Sequence, residues 1–211
     1  EEIRNYPTQQ FGEVMPGDLK YKDVNGDGIV DGGDVVAIGA TERPNLIYGV
    51  GLSARWKSFD FNIHFQGAGK SSYCIQGPSV YAFSQKEIGN ILPDLVDGRW
   101  IDSTISGTEA TMNPNASYPR LSYGGNSNNY RASTFWLRNG SYLRLKTLEI
   151  GYNLPQKWVN KIYSKNIRLF FIGTNLLTFS EFKLWDPEMG STTDAHYPLA
   201  KTFSFGFNIS M

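Results

Sequence analysis

The residues best suited to chemistry lie in one short stretch rich in aspartate, asparagine and glycine. Oxygen-bearing side chains occupy positions 1, 3, 5, 9 and 12 of this stretch: Asp23, Asn25, Asp27, Asp31 and Asp34. Gly28 stands at position 6, and Ile29 offers its main-chain carbonyl at position 7. This is the spacing of an EF-hand loop, in which oxygen ligands surround the hard cation Ca²⁺. We therefore expect a calcium site, with a metal-free turn rich in Asx residues as the alternative.

Two features of this loop bear on the affinity and role of the ion. The last position is Asp34, where EF-hand loops usually carry a bidentate glutamate, so the shorter side chain weakens the site or requires a shift of the backbone. Four carboxylates in so short a segment repel one another unless they are neutralised or left mobile. We expect the ion to be structural, fixing the conformation of a loop.

The other reactive residues do not form a pattern typical of an enzyme. The chain has one cysteine, Cys74, and two histidines, His64 and His196, which excludes an internal disulfide and a cysteine-based zinc site and disfavours a histidine metal cluster. Asp186 and Glu188 flank a proline, so the sequence assigns them to a turn rather than to a glycosidase pair. No nucleophile elbow, phosphate loop or dinucleotide fingerprint is present. We expect no enzymatic activity, and a surface glycosidase is disfavoured.

Composition narrows the class of protein further. Lysine plus arginine and aspartate plus glutamate number 20 each, so no net field favours a nucleic-acid partner. Aromatic residues make up 14% of the chain and glycines number 22, a balance that suits strands and tight turns. The chain begins at Glu1 rather than at a methionine, so we expect a processed or excerpted piece of a longer protein.

Strands account for the regular part of the sequence. Apolar and polar residues alternate with a period of two in stretches beginning at Tyr48, Phe59, Tyr142 and Thr202, and a further strand is predicted over 167–176. Ser58 marks a very short turn between the first two strands. The alternation slips near Thr147, which indicates a β-bulge or emergence of the strand from its apolar surroundings. Short helical segments are predicted within 85–97 and 158–162.

The lengths of the connections distinguish a membrane barrel from a soluble sandwich. Short and long connections alternate, so the long ones fall at one end of the sheet, as the extracellular loops of an outer-membrane barrel do. The segments are a loop region 1–45 containing the calcium loop 23–34, a hairpin 46–67, a long loop 68–140, and three strands in 141–211 with a loop at 177–199. We expect an all-β fold, about five strands of a large transmembrane antiparallel barrel. Because a barrel needs at least about eight strands, upstream sequence or other chains must supply the rest.

Several short motifs resemble one known family in their order and spacing. They are Pro16-Gly17-Asp18-Leu19-Lys20-Tyr21-Lys22-Asp23, Tyr48-Gly49-Val50-Gly51, Phe59-Asp60-Phe61, Phe65-Gln66-Gly67, Tyr142-Leu143-Arg144-Leu145-Lys146, Gly151-Tyr152-Asn153-Leu154-Pro155, Asn175-Leu176-Leu177-Thr178 and Asp186-Pro187-Glu188. Over nearly the whole chain, the sequence resembles the C-terminal end of the SusC/RagA-type TonB-dependent transporters of Bacteroidetes outer membranes. Met211 departs from the aromatic residue with which that family commonly ends.

The resemblance implies a location, a function and partners. A barrel of about 22 strands in the outer membrane would enclose a plug, and a SusD-like lipoprotein would close its extracellular mouth. The function implied is TonB-driven import of glycans or peptides, with the TonB complex, the lipoprotein, the rest of the barrel and membrane lipid as partners. If Met211 lies at the periplasmic end, the segments 1–45, 68–140 and 177–199 all lie outside the cell. The alternative is a soluble, calcium-stabilised β-sandwich that acts as a glycan-binding or dockerin-like module.

Two groups of side chains are candidates for contact with the transported molecule. The polar positions of the first hairpin are expected to face the barrel lumen, either as ordinary wall residues or along the transport path: Arg55, Asp60, Asn62, His64 and Gln66. Aromatic residues of the predicted outer loops would stack on sugar rings or, more simply, pack within the loops: Trp100, Tyr118, Tyr123, Tyr130, Trp136 and Trp185. We also expect a belt of aromatic residues, called a girdle, at the membrane interface near the periplasmic strand ends; it would contain Trp56, Tyr152 and Trp158.

Overall fold

The computed structural model describes residues 3–78, 80–83, 91–102, 107, 112–190 and 197–211, without the side chain of Arg4. The chain divides into two compact units. The described residues of Glu1–Gly39 and Cys74–Leu137 form one, called the loop unit below. Those of Ala40–Tyr73, Arg138–Ser191 and Ala195–Met211 form the other, called the sheet unit.

Strands are the main regular elements of the described chain. They are β1 (Thr8–Gln9), β2 (Ile29–Val30), β3 (Leu46–Trp56), β4 (Phe59–Gly69), β5 (Ser72–Cys74), β6 (Leu137–Asn139), β7 (Tyr142–Asn153), β8 (Asn166–Ser180) and β9 (Thr202–Ser210). The described residues also form two short helices, α1 (Pro93–Gly98) and α2 (Gln156–Val159). They contain 3₁₀ turns at Ile3–Asn5, Gly32–Asp34, Asn160–Ile162 and Pro187–Met189 as well. Among the described residues, no helix has the length and apolar character needed to cross a membrane.

The sheet unit is built on one five-stranded antiparallel sheet in the order β3-β4-β7-β8-β9. Trp56 pairs with Phe59, so only Lys57 and Ser58 form the first turn, and Lys57 adopts a left-handed backbone with φ of 54°. This confirms the predicted short hairpin. The all-β fold with five strands predicted from alternation is also confirmed.

A bulge interrupts the middle of the sheet. His64 pairs with Thr147 and Phe65 with Leu145, which leaves Lys146 opposite no residue of β4. The register between β7 and β8 shifts at the same place. The slip predicted near Thr147 is therefore a β-bulge, and it restores the apolar alternation on both sides of Lys146.

One face of the sheet is apolar across all five strands. Cross-strand partners lie on the same face, and two successive rows of partners on this face are Ala54, Phe61, Ile150, Phe171 and Phe205, and then Leu52, Ile63, Leu148, Gly173 and Phe203. On the outer strands Leu52 is 64% exposed and Phe205 is 82% exposed. Nothing in the described part of the chain covers these side chains, as a second sheet of a soluble sandwich would.

The predicted boundary of the last loop was wrong. The loop was expected to begin at Leu177, but β8 continues to Ser180 and pairs with β7 up to Tyr142.

The two predicted helical regions can be compared with the structure in part. In the region 85–97 the structure has α1, with Pro93 in its first turn. Residues 84–90 lie outside the described part of the chain. The second helical prediction is confirmed by α2 and the following 3₁₀ turn.

The loop unit contains a small core of its own. Val30, Ile75, Val80, Leu95 and Trp136 are buried there. β1 and β2 pair in parallel, which brings Ile29 and Val30 of the predicted calcium loop beside Thr8 and Gln9. The segment 3–39 is thus ordered partly by burial of Val30, although its sequence has no sustained apolar periodicity.

Candidate functional site

The polar face of the sheet carries all the residues predicted to face the lumen. Arg55 pairs with Asp60, and Asn62 and His64 continue the same face two and four positions later. Ser53 Oγ donates a hydrogen bond of 3.3 Å to Asn62 Oδ1. Their position opposite the apolar face agrees with the prediction; which compartment they face stays a prediction.

An ion-pair network joins three strands on this face. Arg168 on β8 holds the Asp60 carboxylate with two nitrogens, through Nη2 to Oδ2 and through Nε to Oδ1 at 3.1 Å. The same Nη2 lies 2.7 Å from Glu149 Oε1 on β7. Asn153 Nδ2 adds a hydrogen bond of 3.3 Å to Asp60 Oδ1. Gly151 lies beneath this network, and a Cβ there would overlap the Arg168 guanidinium and the Asp60 carboxylate.

Sequence reasoning missed Arg168 and Glu149 as members of this site. Both faces of the strand that contains Arg168 are largely apolar, so its outward side could not be assigned from alternation. The pairing of Leu169 with Tyr152 and Phe207 assigns Leu169 to the apolar face and Arg168 to the polar one. The signal that was available is that Arg168 is the one charged residue of this strand, since such a charge requires a partner.

A second charged cluster joins two of the motifs that carried the resemblance. Arg144 is only 2% exposed, and its Nη2 pairs with Asp186 Oδ1 while its Nε lies 3.3 Å from Glu188 Oε2. Lys146 Nζ lies 2.6 Å from Glu188 Oε1. Asp186 also caps the 3₁₀ turn by accepting from the Glu188 N–H at 2.9 Å. The turn predicted for the acidic pair is confirmed, and its carboxylates hold the loop onto β7.

The loop unit is organised around the buried carboxylate of Asp18, whose side chain has no solvent exposure. Arg120 Nε lies 2.8 Å from Asp18 Oδ1, and Arg120 Nη2 lies 3.0 Å from Oδ2. Asn126 and Asn129 donate side-chain hydrogen bonds to Oδ1 at 3.0 and 2.8 Å. The Met15 N–H completes the shell at 2.8 Å. This buried charge is thus fully compensated, and it ties the first segment of the unit to residues more than a hundred positions later.

The predicted calcium loop is closed by its own aspartates. Asp34 Oδ1 accepts from the N–H groups of Val24 and Asn25 at 2.7 and 3.3 Å, which joins the last position to the beginning. Asp23 accepts from Gly26 and Gly28 at 2.6 and 2.8 Å. Gly28 has φ of +84°, a left-handed conformation that position 6 of an EF-hand requires.

The other oxygens of this loop bind the backbone in the same way. Asp27 Oδ1 accepts from Ile29 at 2.8 Å, and Asp31 Oδ1 accepts from Gly33 at 2.7 Å. The hydrogen bond from the Asp31 N–H, with those from Val24 and Asn25, lowers the pKa of Asp34. The ligand set suits a hard cation in kind, but among the described residues no three acidic, histidine or cysteine side chains converge into a metal-holding group.

The aromatic residues of the loop unit mostly pack against one another. Trp136 is completely buried, and its Nε1 donates to Asn129 O at 2.7 Å. Tyr130 stacks on Tyr81 at 4.5 Å, and burial raises the pKa of each to about 12. Tyr123 is 71% exposed. Packing within the loops is therefore the role of Trp136 and Tyr130, and Tyr123 retains an exposed ring.

The remaining predicted aromatic positions differ in exposure and contacts. Trp100 lines a recess of about 660 Å³ in the loop unit, and Tyr118 packs edge-on against Phe135 at 6.3 Å. In the sheet unit Trp185 packs edge-on against Phe182 at 4.8 Å. The predicted girdle residues Trp56 and Trp158 are exposed, and Tyr152 packs against Phe59 at 4.7 Å. Of the two histidines, His196 lies outside the described residues.

Comparison with known proteins gives consistent relatives. A scan against protein-family models finds no match. The chain is 32% identical to TonB-dependent receptor P26 of Formosa agariphila over 92% of its own length and 20% of that protein. It is 28% identical to TonB-dependent receptor P3 of the same organism over 94% of the chain and 19% of that protein. It is 26% identical to TonB-dependent receptor SusC of Bacteroides thetaiotaomicron over 90% of the chain and 17% of that protein. The chain thus spans about a fifth of the length of these relatives.

Solved structures agree on the fold. The RagAB peptide transporter matches with a TM-score of 0.61 and 23% identity, over 92% of this chain and 20% of that one. The RagAB peptide importer in the open-open state matches with a TM-score of 0.63 and 23% identity, over 87% of this chain and 19% of that one. The matched region is the C-terminal part of the RagA barrel. In sequence and in fold, the chain is similar to the C-terminal part of SusC/RagA-type TonB-dependent receptors.

Proposed function

We propose that the protein is a TonB-dependent outer-membrane transporter that imports glycans, or alternatively peptides, together with a SusD-like surface lipoprotein. The observation that carries the proposal is the apolar face that runs across all five strands and stays exposed on β3 and β9. A surface of this kind in contact with water is unfavourable by about 25 cal/mol per Å² of apolar area. In contact with lipid it is the ordinary outer wall of a barrel.

The polar face then lines the lumen, and the loop unit lies on the extracellular side. The ion pairs of Arg168 with Asp60 and Glu149 support this arrangement, because charged groups in a membrane-spanning wall are stable only toward a polar interior. We assign this segment the role of wall and outer loops, and we assign it no catalytic activity.

The names of the relatives are the evidence on the partner proteins and on the class of cargo, glycan or peptide. The structures matched are described as a peptide transporter and a peptide importer, and the sequence relatives are described as TonB-dependent receptors. These names support a transporter that uses the TonB complex, and the lipoprotein lid is proposed from the resemblance to the SusC/RagA type. Because the matched structures share only 23% identity with the chain, they are similar in fold alone, and we keep glycan as the proposed cargo with peptide as the alternative.

Uptake by whole cells tests this function. Fluorescently labelled oligosaccharides and peptides are offered to wild-type cells, to cells lacking the receptor gene and to cells lacking TonB. We expect uptake of one cargo class to fall to background in both deletion strains. Unchanged uptake of every cargo in the receptor deletion, or uptake independent of TonB, would contradict the proposal.

We further propose that the loop 23–34 holds a structural calcium ion through side-chain oxygens of Asp23, Asn25, Asp27, Asp31 and Asp34 and the carbonyl of Ile29. Support comes from the spacing, from the left-handed Gly28 and from the hydrogen bonds that bring Asp34 to the start of the loop. Binding would turn carboxylate oxygens from backbone N–H groups toward the ion. Isothermal titration of the metal-stripped full-length protein with Ca²⁺ tests it, and absence of binding at millimolar Ca²⁺ refutes it.

A further inference from the structure

We propose that a recess on the polar face of the sheet unit, beside Trp185, binds one neutral sugar ring of the transported glycan; this inference rests on the proposed transport function. The recess lies where β7 begins, β8 ends and the loop after β8 starts. Arg144, Thr178 and Asp186 are among its lining residues. Thr178 pairs with Arg144 across the two strands, so both lie on the polar face.

An aromatic wall is the first requirement of a sugar site, and Trp185 provides it. The C–H face of a pyranose packs on an aromatic ring, which offers a large apolar surface with a polar rim. Trp185 is half-buried and is held edge-on by Phe182 at 4.8 Å, with an interplanar angle of 80°. Phe182 is itself buried. The indole is therefore ordered before any ligand arrives, which reduces the entropic cost of binding.

Hydroxyl groups of a sugar also need both donors and acceptors at the edge of the ring. Asp186 uses Oδ1 for Arg144 and for the Glu188 N–H, and among the described residues no hydrogen bond to its Oδ2 is found. Likewise, no side-chain hydrogen bond or ion pair of Thr178 or Lys183 is found within the described part of the chain. The recess thus combines a carboxylate acceptor, a hydroxyl and an ammonium donor around one aromatic wall.

The size of the recess restricts the ligand to a single ring. Its volume is about 210 Å³, below the roughly 300–1,000 Å³ of sites that enclose a whole small molecule. A longer chain can place one residue here while the others extend along the polar face. The recess is a subsite on a path rather than a closed pocket.

The charges favour a neutral sugar over an acidic sugar or a peptide terminus. The charges of Arg144 and Lys146 are balanced by those of Asp186 and Glu188, and Lys183 is the one further charge in the lining of the recess. A ligand carboxylate near Lys183 would also approach Asp186 and be repelled by it. Neutral hydroxyls, in contrast, can accept from Lys183 and donate to Asp186 at the same time.

Binding to the full-length receptor in detergent tests the assignment. The probes are maltoheptaose, xylohexaose and laminarihexaose as neutral glycans, with an oligogalacturonate and a pool of short peptides for comparison. We expect one neutral glycan to bind. Trp185→Ala should weaken the binding of that glycan at least about tenfold, and Trp185→Phe should restore most of the affinity. Thr178→Val should weaken its binding about threefold to tenfold. Lys183→Met should also weaken binding, and Lys157→Met, which changes an exposed lysine on α2, is its matched control and should leave binding unchanged.

Three outcomes would overturn the inference: binding of peptides or the acidic glycan alone, no binding of any neutral probe, or an unchanged affinity in Trp185→Ala. Uptake assays separate this failure from failure of the transport function. If receptor-dependent uptake of a neutral glycan persists unchanged in Trp185→Ala, the recess is not a sugar subsite but the transporter assignment stands. If deletion of the receptor leaves all uptake unchanged, the transport function itself fails.

Discussion

Arg144 on β7 and Asp186 in the loop after β8 form an ion pair in which the arginine side chain is 2% exposed and the aspartate side chain 13% exposed. Removing one partner of a buried pair leaves an uncompensated charge, which costs about 3–5 kcal/mol. We expect Arg144→Met and Asp186→Asn each to lower stability in this range. Denaturant unfolding of the folded barrel in micelles measures it.

Lys157→Met, which removes an exposed lysine without an ion-pair partner among the described residues, serves as the control and should change stability little. The double variant Arg144→Met with Asp186→Asn should be less destabilised than the sum of the two single changes. Simple additivity would show that the two residues are not coupled.

Gly151 offers a separate test of the Asp60–Arg168–Glu149 network. Because a Cβ at this position would overlap both Arg168 and Asp60, Gly151→Ala should displace the guanidinium and destabilise the barrel by about 1–3 kcal/mol. Gly51→Ala on the same face is the control, since its Cβ would meet its nearest atom at an ordinary 3.7 Å. Equal stability of the two variants, by the same unfolding assay, would argue against the observed geometry.

The identity of the lipid-facing side is tested with neighbouring residues of β9. Phe205 belongs to the apolar face and Ser204 to the opposite one. We expect Phe205→Lys to reduce folding into lipid bilayers, with a cost of up to about 2–4 kcal/mol, and Ser204→Lys to be better tolerated. Heat-modifiable migration on gels reports the folded fraction. A greater loss with Ser204→Lys would reverse the assignment of the faces.

Calcium should protect the loop 23–34 against proteolysis. Limited digestion of the full-length protein with and without a chelator, followed by mass spectrometry, locates the cuts. We expect faster cleavage within Asp23–Asp34 after chelation, and the double variant Asp23→Asn with Asp34→Asn should be cleaved quickly in either condition. Asp94→Asn on α1 is the control. Identical cleavage with and without calcium would disprove the metal site.

Alkaline pH should weaken the loop unit through its buried phenols. Burial raises the pKa of Tyr81 and Tyr130 from 10 to about 12, so the neutral phenols contribute stability that is fully present below pH 10 and is lost as the pH rises toward 12. Absorbance titration at the phenolate band should show a late-ionising fraction that is smaller in Tyr81→Phe/Tyr130→Phe. An unaltered titration curve would contradict the burial of these rings.

Local patterns were sufficient for the strands and insufficient for the contacts between distant segments. Alternation around Phe61 and Phe205 predicts the apolar face, and the slip near Thr147 predicts the bulge that the structure places at Lys146. The end of β8 was missed because Asn175, which has a left-handed backbone, and Leu176 interrupt the alternation before Leu177 and Phe179 resume it.

The charged networks could not be predicted for a different reason. Asp60 and Arg168 are 108 positions apart, and Asp18 and Asn129 are 111 positions apart. Their pairing depends on the register of β7 and β8 or on the path of long loops, and one sequence contains no local signal for either. The motifs Tyr142–Lys146 and Asp186–Glu188 were recognised separately, but their contact follows only from the fold.

The outermost strands of the sheet have a consequence for production of this segment by itself. β3 and β9 each pair with one neighbour within the sheet. The backbone amide and carbonyl groups on their outer edges therefore have no partner strand within it. In hydrocarbon each such group left bare costs several kcal/mol, and in water the long apolar ribbons invite edge-to-edge stacking. Isolated from flanking strands, this piece should assemble into insoluble β-rich aggregates.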